Sequence, residues 1–577
     1  MTTGHADQLR STVQGWIADD PDPDDRAELT ALLAAGDTEA LAGRFGEPLR
    51  FGTAGIRGAL GAGPARMNRA TVRRVVAGLA RYLDQAVPGA ARQPVVIGYD
   101  ARRGSPEFAD EAAAVLTGAG RQVLRLPGPV PTPVLAFAVR HLRAIAGVMV
   151  TASHNPRGDN GVKVYWTDGA QIVPPVDTGI AAAAAAAGPL RDLPLGGPGE
   201  PLGDEVTQAY LAAIAAAVPP GGERERSQLR IAYTPLHGVG LATVQQAFAH
   251  AGFAPLSVVH EQAEPNGAFP TLPKPNPEEP GALDLLMAEG TRIGADLVLA
   301  NDPDADRLAV ALPVPPGPAA PQGWRVLTGD ELGALLGDHL LRHAPDPAQR
   351  LLVTTIVSAG LLGELAEAAG AAFAETLTGF KWIMRASDDV PDRKFLFGYE
   401  EALGYAVTDV VRDKDGMSAA LVLAGAAAEA RSQGQTLAGL LDGITRRFGL
   451  YVTGQFSVGL AGGPEAGAAL LAAARDAPPL SLLGQPVAAV DDLGLGLRTR
   501  ADGAKDPLAF PRSDVIIWRC ANGTRVAVRP SGTEPKVKIY LQVVLPAAGR
   551  EDLARLRDQA ARRLDDLRQE VWEVLRL

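Results

Sequence analysis

Cysteine, aromatic residues and long apolar runs are all scarce in this chain of 577 residues. The single cysteine, Cys520, excludes a disulfide within the chain and any metal cluster built from cysteines. Aromatic residues make up only 5% of the sequence, so the cores must consist largely of alanine, leucine and valine. The longest apolar runs, such as 180–187, are alanine tracts too short and too weakly hydrophobic to span a bilayer. We therefore expect no membrane association.

A basic surface is also missing. The net charge of −11 disfavours a nucleic-acid partner, because contacts with phosphate backbones require a basic face. The first residues, MTTGHADQLR, lack the apolar segment of a signal peptide, and together with the single cysteine this predicts a cytoplasmic location. A hydrophobic fraction of 46% and a charged fraction of 21% are typical of globular proteins, and the length predicts three or four domains.

Strand-like runs alternate with alanine-rich stretches that favour helices. This alternation predicts an α/β fold whose sheets are largely parallel. The runs interpreted as buried strands are 94–100, 145–151, 229–233, 296–300, 351–357 and 394–397. The tail differs, because two strand-like runs flank Asn522-Gly523, which predicts a hairpin and a last domain of the α+β type.

Glycine- and proline-rich stretches indicate the domain boundaries. Residues 1–45 are interpreted as two short helices around an acidic turn, and 462–479 as a linker helix. The predicted organisation is an N-terminal helical extension over 1–45, followed by domains over 46–222, 223–345, 346–480 and 481–577.

Three carboxylates follow the strand-like run 296–300. Ligands of open α/β sheets bind beyond the carboxyl ends of the strands, and Asp302, Asp304 and Asp306 stand at alternate positions there. Such a loop can curl around one hard cation, and oxygen ligands with room for a phosphate suit Mg²⁺. An EF-hand is excluded, because its sixth position requires glycine and holds Arg307. A solvated acidic turn remains the alternative.

A serine follows the run 145–151. Ser153 is a candidate nucleophile, a candidate phosphate ligand or a turn residue, and it lacks the glycines of a G-x-S-x-G elbow. Ten residues further on, Lys163 lies in a strand-like run, and a buried lysine near other charges can act as an acid or a base. A surface lysine on an edge strand is the other interpretation.

Two further loops have the composition of anion sites, and a third carries paired acids. Residues 51–58 combine three glycines with Thr53 and Arg57, and residues 529–533 offer a guanidinium, two hydroxyls and a glycine turn. A tight hairpin connection is the alternative for 529–533. The adjacent Glu400 and Glu401 suit neighbouring sugar hydroxyls in a pocket, or are ordinary charges on a surface.

These loops together resemble those of one enzyme family. The strings FGTAGIRG, TASHNP, NGVK, DPDADR, TGFKW, GYEEALG and RPSGTEPK are similar to motifs of the α-D-phosphohexomutase family, which includes phosphoglucomutases and phosphomannomutases. They occur in the family's order and span positions 51 to 536. The resemblance implies four domains around a central cleft, three with mixed, mainly parallel sheets flanked by helices and a C-terminal α+β domain.

The resemblance also implies roles for individual residues. Ser153 would be phosphorylated in the resting enzyme and would hold Mg²⁺ together with Asp302, Asp304 and Asp306. Arg57 and Lys163 would assist proton transfer, with His154 and Arg307 close by. The residues that would bind substrate are Thr53, Arg307, Gly379, Lys381, Glu400, Glu401, Arg529, Ser531, Gly532 and Thr533.

The implied activity is that of an isomerase, a phosphosugar mutase of carbohydrate metabolism. The phosphoserine would convert a sugar monophosphate into a sugar 1,6-bisphosphate, which also serves as primer, and would then take back the other phosphoryl group. The GYEEALG string and the charged residues at 411–416 resemble the branch of bacterial α-phosphoglucomutases and phosphopentomutase-like enzymes. Glucose phosphate is the favoured substrate, while mannose and pentose phosphates stay open, as do a monomer and a small homo-oligomer.

Three other classes compete with a mutase. A Mg²⁺-dependent sugar phosphatase would use similar loops, but it would not need the second phosphate site at 529–533. A nucleotide-binding oxidoreductase is indicated only weakly by residues 237–243, which lack a third glycine. A non-catalytic sensor of sugar phosphates would not require Ser153 and all three aspartates.

Overall fold

The computed structural model describes residues 3–50, 55–87, 89, 93–317, 320, 322–459, 463–530, 536–547 and 552–576, without the side chains of 3–6 and 463–466. The chain forms two compact units, each made of two segments. The first unit comprises Met1–Val326 and Thr408–Ala424, and the second comprises Leu327–Val407 and Gly425–Leu577.

The N-terminal region of the first unit contains three helices: α1 (Thr3–Asp19), α2 (Pro23–Ala35) and α3 (Thr38–Phe45). The prediction of two helices was wrong, because Gly36 ends α2 in the left-handed conformation, with φ of 64°. The Asp37 carboxylate then accepts a hydrogen bond from the Ala40 amide and begins α3 as its N-cap.

A six-stranded mixed sheet follows in the first unit, with the strand order β1-β5-β4-β2-β3-β6. Strands β2, β3, β4 and β6 are parallel, whereas β5 runs antiparallel to both β4 and β1. The strands are β1 (Ile56–Ala59), β2 (Val95–Tyr99), β3 (Val123–Pro129), β4 (Ala146–Val150), β5 (Asp159–Tyr165) and β6 (Glu200–Pro201). The helices are α4 (Arg69–Ala86), α5 (Ser105–Gly118), α6 (Thr132–His141), α7 (Val176–Ala185) and α8 (Glu205–Ala215).

The second sheet of the first unit has five strands in the order β11-β10-β9-β7-β8. Its parallel part is β8-β7-β9, and β10 returns antiparallel to β9. The strands are β7 (Ile231–Thr234), β8 (Ser257–Val258), β9 (Leu297–Ala300), β10 (Ala309–Pro313) and β11 (Trp324–Val326). The helices are α9 (Glu223–Arg226), α10 (Leu241–His250) and α11 (Asp284–Ile293).

The second unit begins with a four-stranded sheet in the order β13-β12-β14-β15, in which only β15 is antiparallel to its neighbour. The strands are β12 (Arg350–Thr355), β13 (Ala372–Thr376), β14 (Lys394–Glu400) and β15 (Gly404–Ala406). The helices are α12 (Gly329–His343), α13 (Leu361–Ala369), α14 (Phe380–Ile383), α15 (Ala386–Asp389), α16 (Gly416–Ser432), which starts in the first unit, and α17 (Leu437–Phe448).

The last sheet is antiparallel, with the order β16-β23-β22-β21-β18-β19-β20 and β17 paired to β18. Its strands are β16 (Leu450–Gly459), β17 (Ser481–Leu482), β18 (Gln485–Asp492), β19 (Leu497–Arg500), β20 (Lys505–Pro507), β21 (Ile516–Cys520), β22 (Arg525–Pro530) and β23 (Lys536–Leu545). The helices are α18 (Gly463–Asp476) and α19 (Leu553–Val574).

The predicted α/β architecture with a different last domain is confirmed. The hairpin at Asn522-Gly523 joins β21 to β22, and Gly523 adopts φ of 85° there. The linker prediction for 462–479 was wrong: Leu471 and Ala474 on α18 are buried in the core of the last sheet. Within the described ranges, no helix combines the length and apolar character needed to cross a membrane.

Candidate active site

Ser153 lies in the turn that joins β4 to β5. The residue is 5% exposed and adopts φ of 51°. This left-handed backbone conformation is uncommon for residues other than glycine, asparagine and aspartate. Its backbone amide donates to Thr151 Oγ1 at 2.8 Å, and the Thr151 hydroxyl donates to Asp100 Oδ2 at 2.6 Å. Buried side-chain hydrogen bonds therefore hold the serine in this strained conformation.

The guanidinium of Arg102 fixes the rest of this turn. It donates to the carbonyl oxygens of Ser153 and Asn155, and also to Pro156 O at 3.0 Å and Asp159 O at 3.1 Å. Burial lowers the pKa of Arg102, and the nearby carboxylates oppose that shift. A planar group with five N–H donors suits this task, because four carbonyl oxygens accept hydrogen bonds from it.

The Ser153 hydroxyl faces the acidic loop after β9. Ser153 Oγ donates to Asp302 Oδ2 at 2.7 Å and lies 3.1 Å from His154 Nδ1. Both loops end strands of the first unit, so the juxtaposition expected from the sequence is present within one compact body.

The acidic loop is shaped by backbone and amide contacts. Asn301 accepts from the Tyr233 hydroxyl at 2.9 Å and donates to Arg307 O at 2.6 Å. The Arg307 amide donates to Asp302 Oδ1 at 3.0 Å, and Ala305 turns the chain with φ of 57°. The loop thus curls back on itself, so that its alternate carboxylates point to one side.

The three aspartates fit a hard cation. Asp302 and Asp304 are fully buried, Asp306 is 1% exposed, and ligand oxygens of all three lie within 4.8 Å of one another. Among the described residues, Oδ1 of Asp304 and Oδ1 of Asp306 have no hydrogen-bond partner. Unpaired buried carboxylate oxygens are costly without a counter-ion, so the donor set matches a divalent ion that prefers oxygen.

Two lysines partly neutralise these acids. Lys163 Nζ donates to Asp304 Oδ2 at 2.7 Å and to Asp306 Oδ2 at 2.8 Å, and Lys414 Nζ lies 3.4 Å from the same Asp306 oxygen. Burial would lower the pKa of Lys163, but the two aspartates raise it. Burial likewise opposes ionisation of Asp306, whose pKa the lysines nevertheless lower. The lysine is therefore held as a cation.

Asp302 differs from Asp306 in its protonation behaviour. Burial raises its pKa well above the usual range, and the charges of Asp304 and Asp306 raise it further. The Asp302 carboxylate accepts hydrogen bonds from the Ser153 hydroxyl and from the Arg307 amide. A cation at this position would relieve the repulsion among the three carboxylates.

The basic residues predicted near the serine are also found there. Arg57 lies on β1, paired in register with Gly161 of β5. Burial lowers the pKa of His154, and the positive charges of Arg307 and Arg57 lower it further. His154 is therefore neutral beside Ser153 Oγ, with a ring nitrogen available as a proton acceptor.

The segment before α16 was not assigned a role from the sequence. Asp413 Oδ2 accepts from the Tyr165 hydroxyl and from Gln171 Nε2, both at 2.6 Å, and its neighbour Lys414 reaches Asp306. The charged string at 411–416 was visible in the sequence. Its contact with a loop more than a hundred positions earlier depends on the fold, so spacing gave no signal for it.

The second unit carries the predicted sugar-binding carboxylates at the β14–β15 turn. Glu401 Oε2 accepts from Ser358 Oγ at 3.1 Å and from Thr355 Oγ1 at 3.3 Å. Burial raises the pKa of Glu401 to about 7, and the charges of Glu400 and Asp330 add to the shift. Glu400 ends β14 beside it.

Arg529 lies at the end of β22, within the same unit. Its Nη2 donates to the Tyr540 hydroxyl at 3.2 Å, and its charge partly offsets the raised pKa of Glu401. Gly379, with φ of 111°, precedes α14, on which Lys381 is buried. The predicted residues Thr53, Ser531, Gly532 and Thr533 lie outside the described residues.

A serine hydroxyl on a carboxylate cluster that fits a divalent ion, with a lysine cation beside it, is an arrangement suited to phosphoryl transfer. Family models for phosphoglucomutase/phosphomannomutase match all four domains: α/β/α domain I over residues 48–190, domain II over 208–314, domain III over 328–448 and the C-terminal domain over 499–563. The chain therefore belongs to the phosphoglucomutase/phosphomannomutase family. It is a phosphomutase, an isomerase enzyme.

The chain is similar to relatives that are named for different sugar phosphates. A protein named "Probable phosphomannomutase" from Haemophilus influenzae is 42% identical over 82% of this chain and 92% of its own length. The phosphopentomutase of Mus musculus is 34% identical, covering 96% of this chain and 92% of its own. A phosphoglucomutase of Staphylococcus epidermidis is 34% identical, covering 86% of this chain and 90% of its own.

Proposed function

We propose that this enzyme interconverts glucose 1-phosphate and glucose 6-phosphate through a phosphoserine at Ser153 and a glucose 1,6-bisphosphate intermediate. The observation that carries the proposal is the 2.7 Å hydrogen bond from Ser153 Oγ to Asp302. In the same cluster, Oδ1 of Asp304 and Oδ1 of Asp306 make no hydrogen bond to any residue that the structure describes. A covalent phosphoryl carrier requires this proximity between the hydroxyl and a site for a cation.

The proposed first step transfers the phosphoryl group from Ser153 Oγ to a hydroxyl of the substrate. A substrate hydroxyl attacks phosphorus, the bond from phosphorus to Ser153 Oγ breaks, and the hydroxyl proton passes to the departing serine oxygen. His154, 3.1 Å from Oγ and neutral, and the cationic Lys163 are the candidates to carry this proton. The second step is the reverse reaction at the other phosphate of the bisphosphate.

Mg²⁺ is the proposed ion, held by Asp302, Asp304, Asp306 and the phosphoserine. When bound, it supplies neutralisation of charge on the transferred group and on the serine oxygen as leaving group. The chain's own residues align the partners. Arg102 holds the serine turn, while Arg57 and Arg307 place positive charge beside it. Alignment and charge neutralisation are the main requirements of phosphoryl transfer.

The paired carboxylates support glucose as the sugar. Glu400 and Glu401 can accept hydrogen bonds from adjacent hydroxyls of glucose, and Arg529 is the candidate partner of the phosphate that does not react. Mannose and pentose phosphates are the alternatives, and relatives named for each of them are similar to this chain. A phosphatase would release inorganic phosphate and would need no second phosphate site such as the one proposed at Arg529.

The test is the variant Ser153→Ala in the full-length protein with Mg²⁺ and a catalytic amount of glucose 1,6-bisphosphate. We expect loss of nearly all isomer formation with an unchanged circular dichroism spectrum, because only one oxygen is removed. Intact-mass measurement should find one phosphoryl group on the wild type and none at this site in the variant. Mutase rates close to wild type in Ser153→Ala would contradict the proposed carrier.

A further inference from the structure

A second group of potential metal ligands lies in the second unit, apart from the residues assigned to catalysis. His339 and His343 stand four positions apart on α12, and Glu429 lies on α16. A histidine, three intervening residues and a second histidine place both imidazoles on one face of a helix. One potential ligand atom from each of the three side chains lies within 4.8 Å of the others.

Two of the distances between these atoms are close to those expected between ligands of a transition-metal ion. Glu429 Oε2 lies 2.9 Å from His343 Nε2 and 3.3 Å from His339 Nδ1. Ligands at about 2.0–2.1 Å from a tetrahedral Zn²⁺ are about 3.3 Å from one another. Small side-chain movements would therefore bring the three atoms to binding distance.

His339 is the independent observation that points to a ligand. Its residue is 1% exposed, yet neither ring nitrogen makes a hydrogen bond to any part of the chain that the structure describes. Buried polar groups are normally paired, and a neutral imidazole can offer the lone pair of one ring nitrogen to a metal ion.

We propose that His339, His343 and Glu429 form a binding site for one transition-metal ion of the Zn²⁺ type, which links α12 to α16. Two imidazoles and one carboxylate are a known Zn²⁺ ligand set with a fourth position for water. His343 and Glu429 are partly exposed and leave a route for the ion. The nitrogen ligands distinguish this site from the all-oxygen aspartate cluster, which suits Mg²⁺. The proposal does not rest on the proposed function.

A simple ion pair is the competing interpretation. A protonated His343 bound to Glu429 would explain the 2.9 Å contact. It would leave both ring nitrogens of the buried His339 without a hydrogen bond among the described residues, whereas a metal ion would bind one of them. The two interpretations therefore differ in whether His339 and an added ion matter.

The experiment uses the chelator-treated full-length protein in excess Mg²⁺, which keeps the aspartate cluster filled. Zn²⁺ is titrated by calorimetry, and Co²⁺ is used as a spectroscopic probe of nitrogen ligation. The variants are His343→Gln and Glu429→Gln, with the exposed helical His250→Gln as a matched control and Asp302→Asn to report on the other site.

We expect one Zn²⁺ per chain, Co²⁺ bands in the visible range and a higher melting temperature with Zn²⁺. All three should persist in His250→Gln and Asp302→Asn. Affinity should fall at least about a hundredfold in His343→Gln and in Glu429→Gln, beyond the loss typical of changes outside the ligand set. The site is disproved if no binding is seen in excess Mg²⁺, if binding survives both ligand variants, or if Asp302→Asn abolishes it.

Discussion

The hydroxyl of Ser153, the proposed phosphoryl carrier, is positioned by neighbouring side chains to which we assign no part in the reaction. The Ser153 amide donates a hydrogen bond to the Thr151 hydroxyl, and the guanidinium of Arg102 donates to the carbonyl oxygens of Ser153 and Asn155. The φ of 51° at Ser153 is an uncommon conformation that such contacts must maintain. The position of Oγ relative to Asp302 therefore depends on side chains beneath the loop as much as on the serine.

The variant Arg102→Lys tests this dependence. A lysine keeps the charge but has no fork of N–H donors, so several hydrogen bonds to the turn are lost. Each hydrogen bond to a charged group contributes about 1.5–3 kcal/mol, and even partial misplacement of Oγ should lower kcat at least about tenfold. Steady-state kinetics and the rate of phosphoserine formation measure the effect. The control is Arg103→Lys, at an adjacent and exposed position, which should retain wild-type rates. Equal rates in the two variants would contradict the proposed role of Arg102 in holding the turn.

Removal of the metal should reduce stability most in a variant that lacks the positive charge of Lys163. Lys163→Met leaves Asp304 and Asp306 without their nearest positive charge, and breaking a buried ion pair costs about 3–5 kcal/mol. We expect a large loss of stability in chelator and a larger rise in melting temperature on addition of Mg²⁺ than in the wild type. Thermal unfolding with and without Mg²⁺ measures both. The exposed Lys394→Met is the control, and an equal response to Mg²⁺ in wild type and Lys163→Met would refute the prediction.

At the scale of elements, the site is a set of strand ends. The turn after β4 and the connection from β9 to β10 carry the serine and the aspartates, as the alternation of strand-like runs with polar loops predicted. The antiparallel return of β5 could not be read from the sequence, yet it places Lys163 against the acidic loop. In the second unit, the β14–β15 turn presents Glu401 to the hydroxyls of Thr355 and Ser358.

The β14–β15 turn should make stability depend on pH. The pKa of Glu401 is raised from 4.5 to about 7, so the folded chain binds this proton more tightly than the unfolded chain does. The contribution of Glu401 to the free energy of unfolding therefore falls as the pH rises from about 4.5 to 7. The upper bound of this fall is about 3–4 kcal/mol, and solvent screening of the partly exposed side chain reduces it.

Glu401→Gln removes this titration. We expect the variant to be more stable than the wild type at pH 8 and to approach it at pH 5, where Glu401 is protonated in the folded chain. Urea unfolding across this range, followed by tryptophan fluorescence, measures the difference between the two proteins. Glu364→Gln, on α13 of the same unit, is the control. A difference independent of pH would show that Glu401 titrates normally.

At the scale of the whole molecule, the sequence predicts the residues of the candidate site better than it predicts the residues that contact and position them. Short motifs in the sequence predicted that Ser153 and the three aspartates lie together, because each motif is a short polar loop directly after a strand. Lys414 is missing from that prediction, since its contact with Asp306 joins positions over a hundred residues apart. The helix α18 was misjudged for the same reason: its burial depends on strands that follow it in the chain.

The choice among sugars should depend on Glu400 and Glu401, and phosphoryl transfer should depend on Ser153 and the three aspartates. We expect glucose 1-phosphate, primed with glucose 1,6-bisphosphate, to give the highest kcat/KM in a panel with mannose 1-phosphate and ribose 1-phosphate, and inorganic phosphate to be a minor product. Glu400→Gln should change the ranking of sugars, since it removes an acceptor for hydroxyls and leaves Arg529 and the aspartates intact. Coupled assays for each isomer and a phosphate assay provide the readout. A ranking led by mannose or ribose phosphate would reassign the substrate, whereas dominant phosphate release would show that water, not sugar, accepts the phosphoryl group.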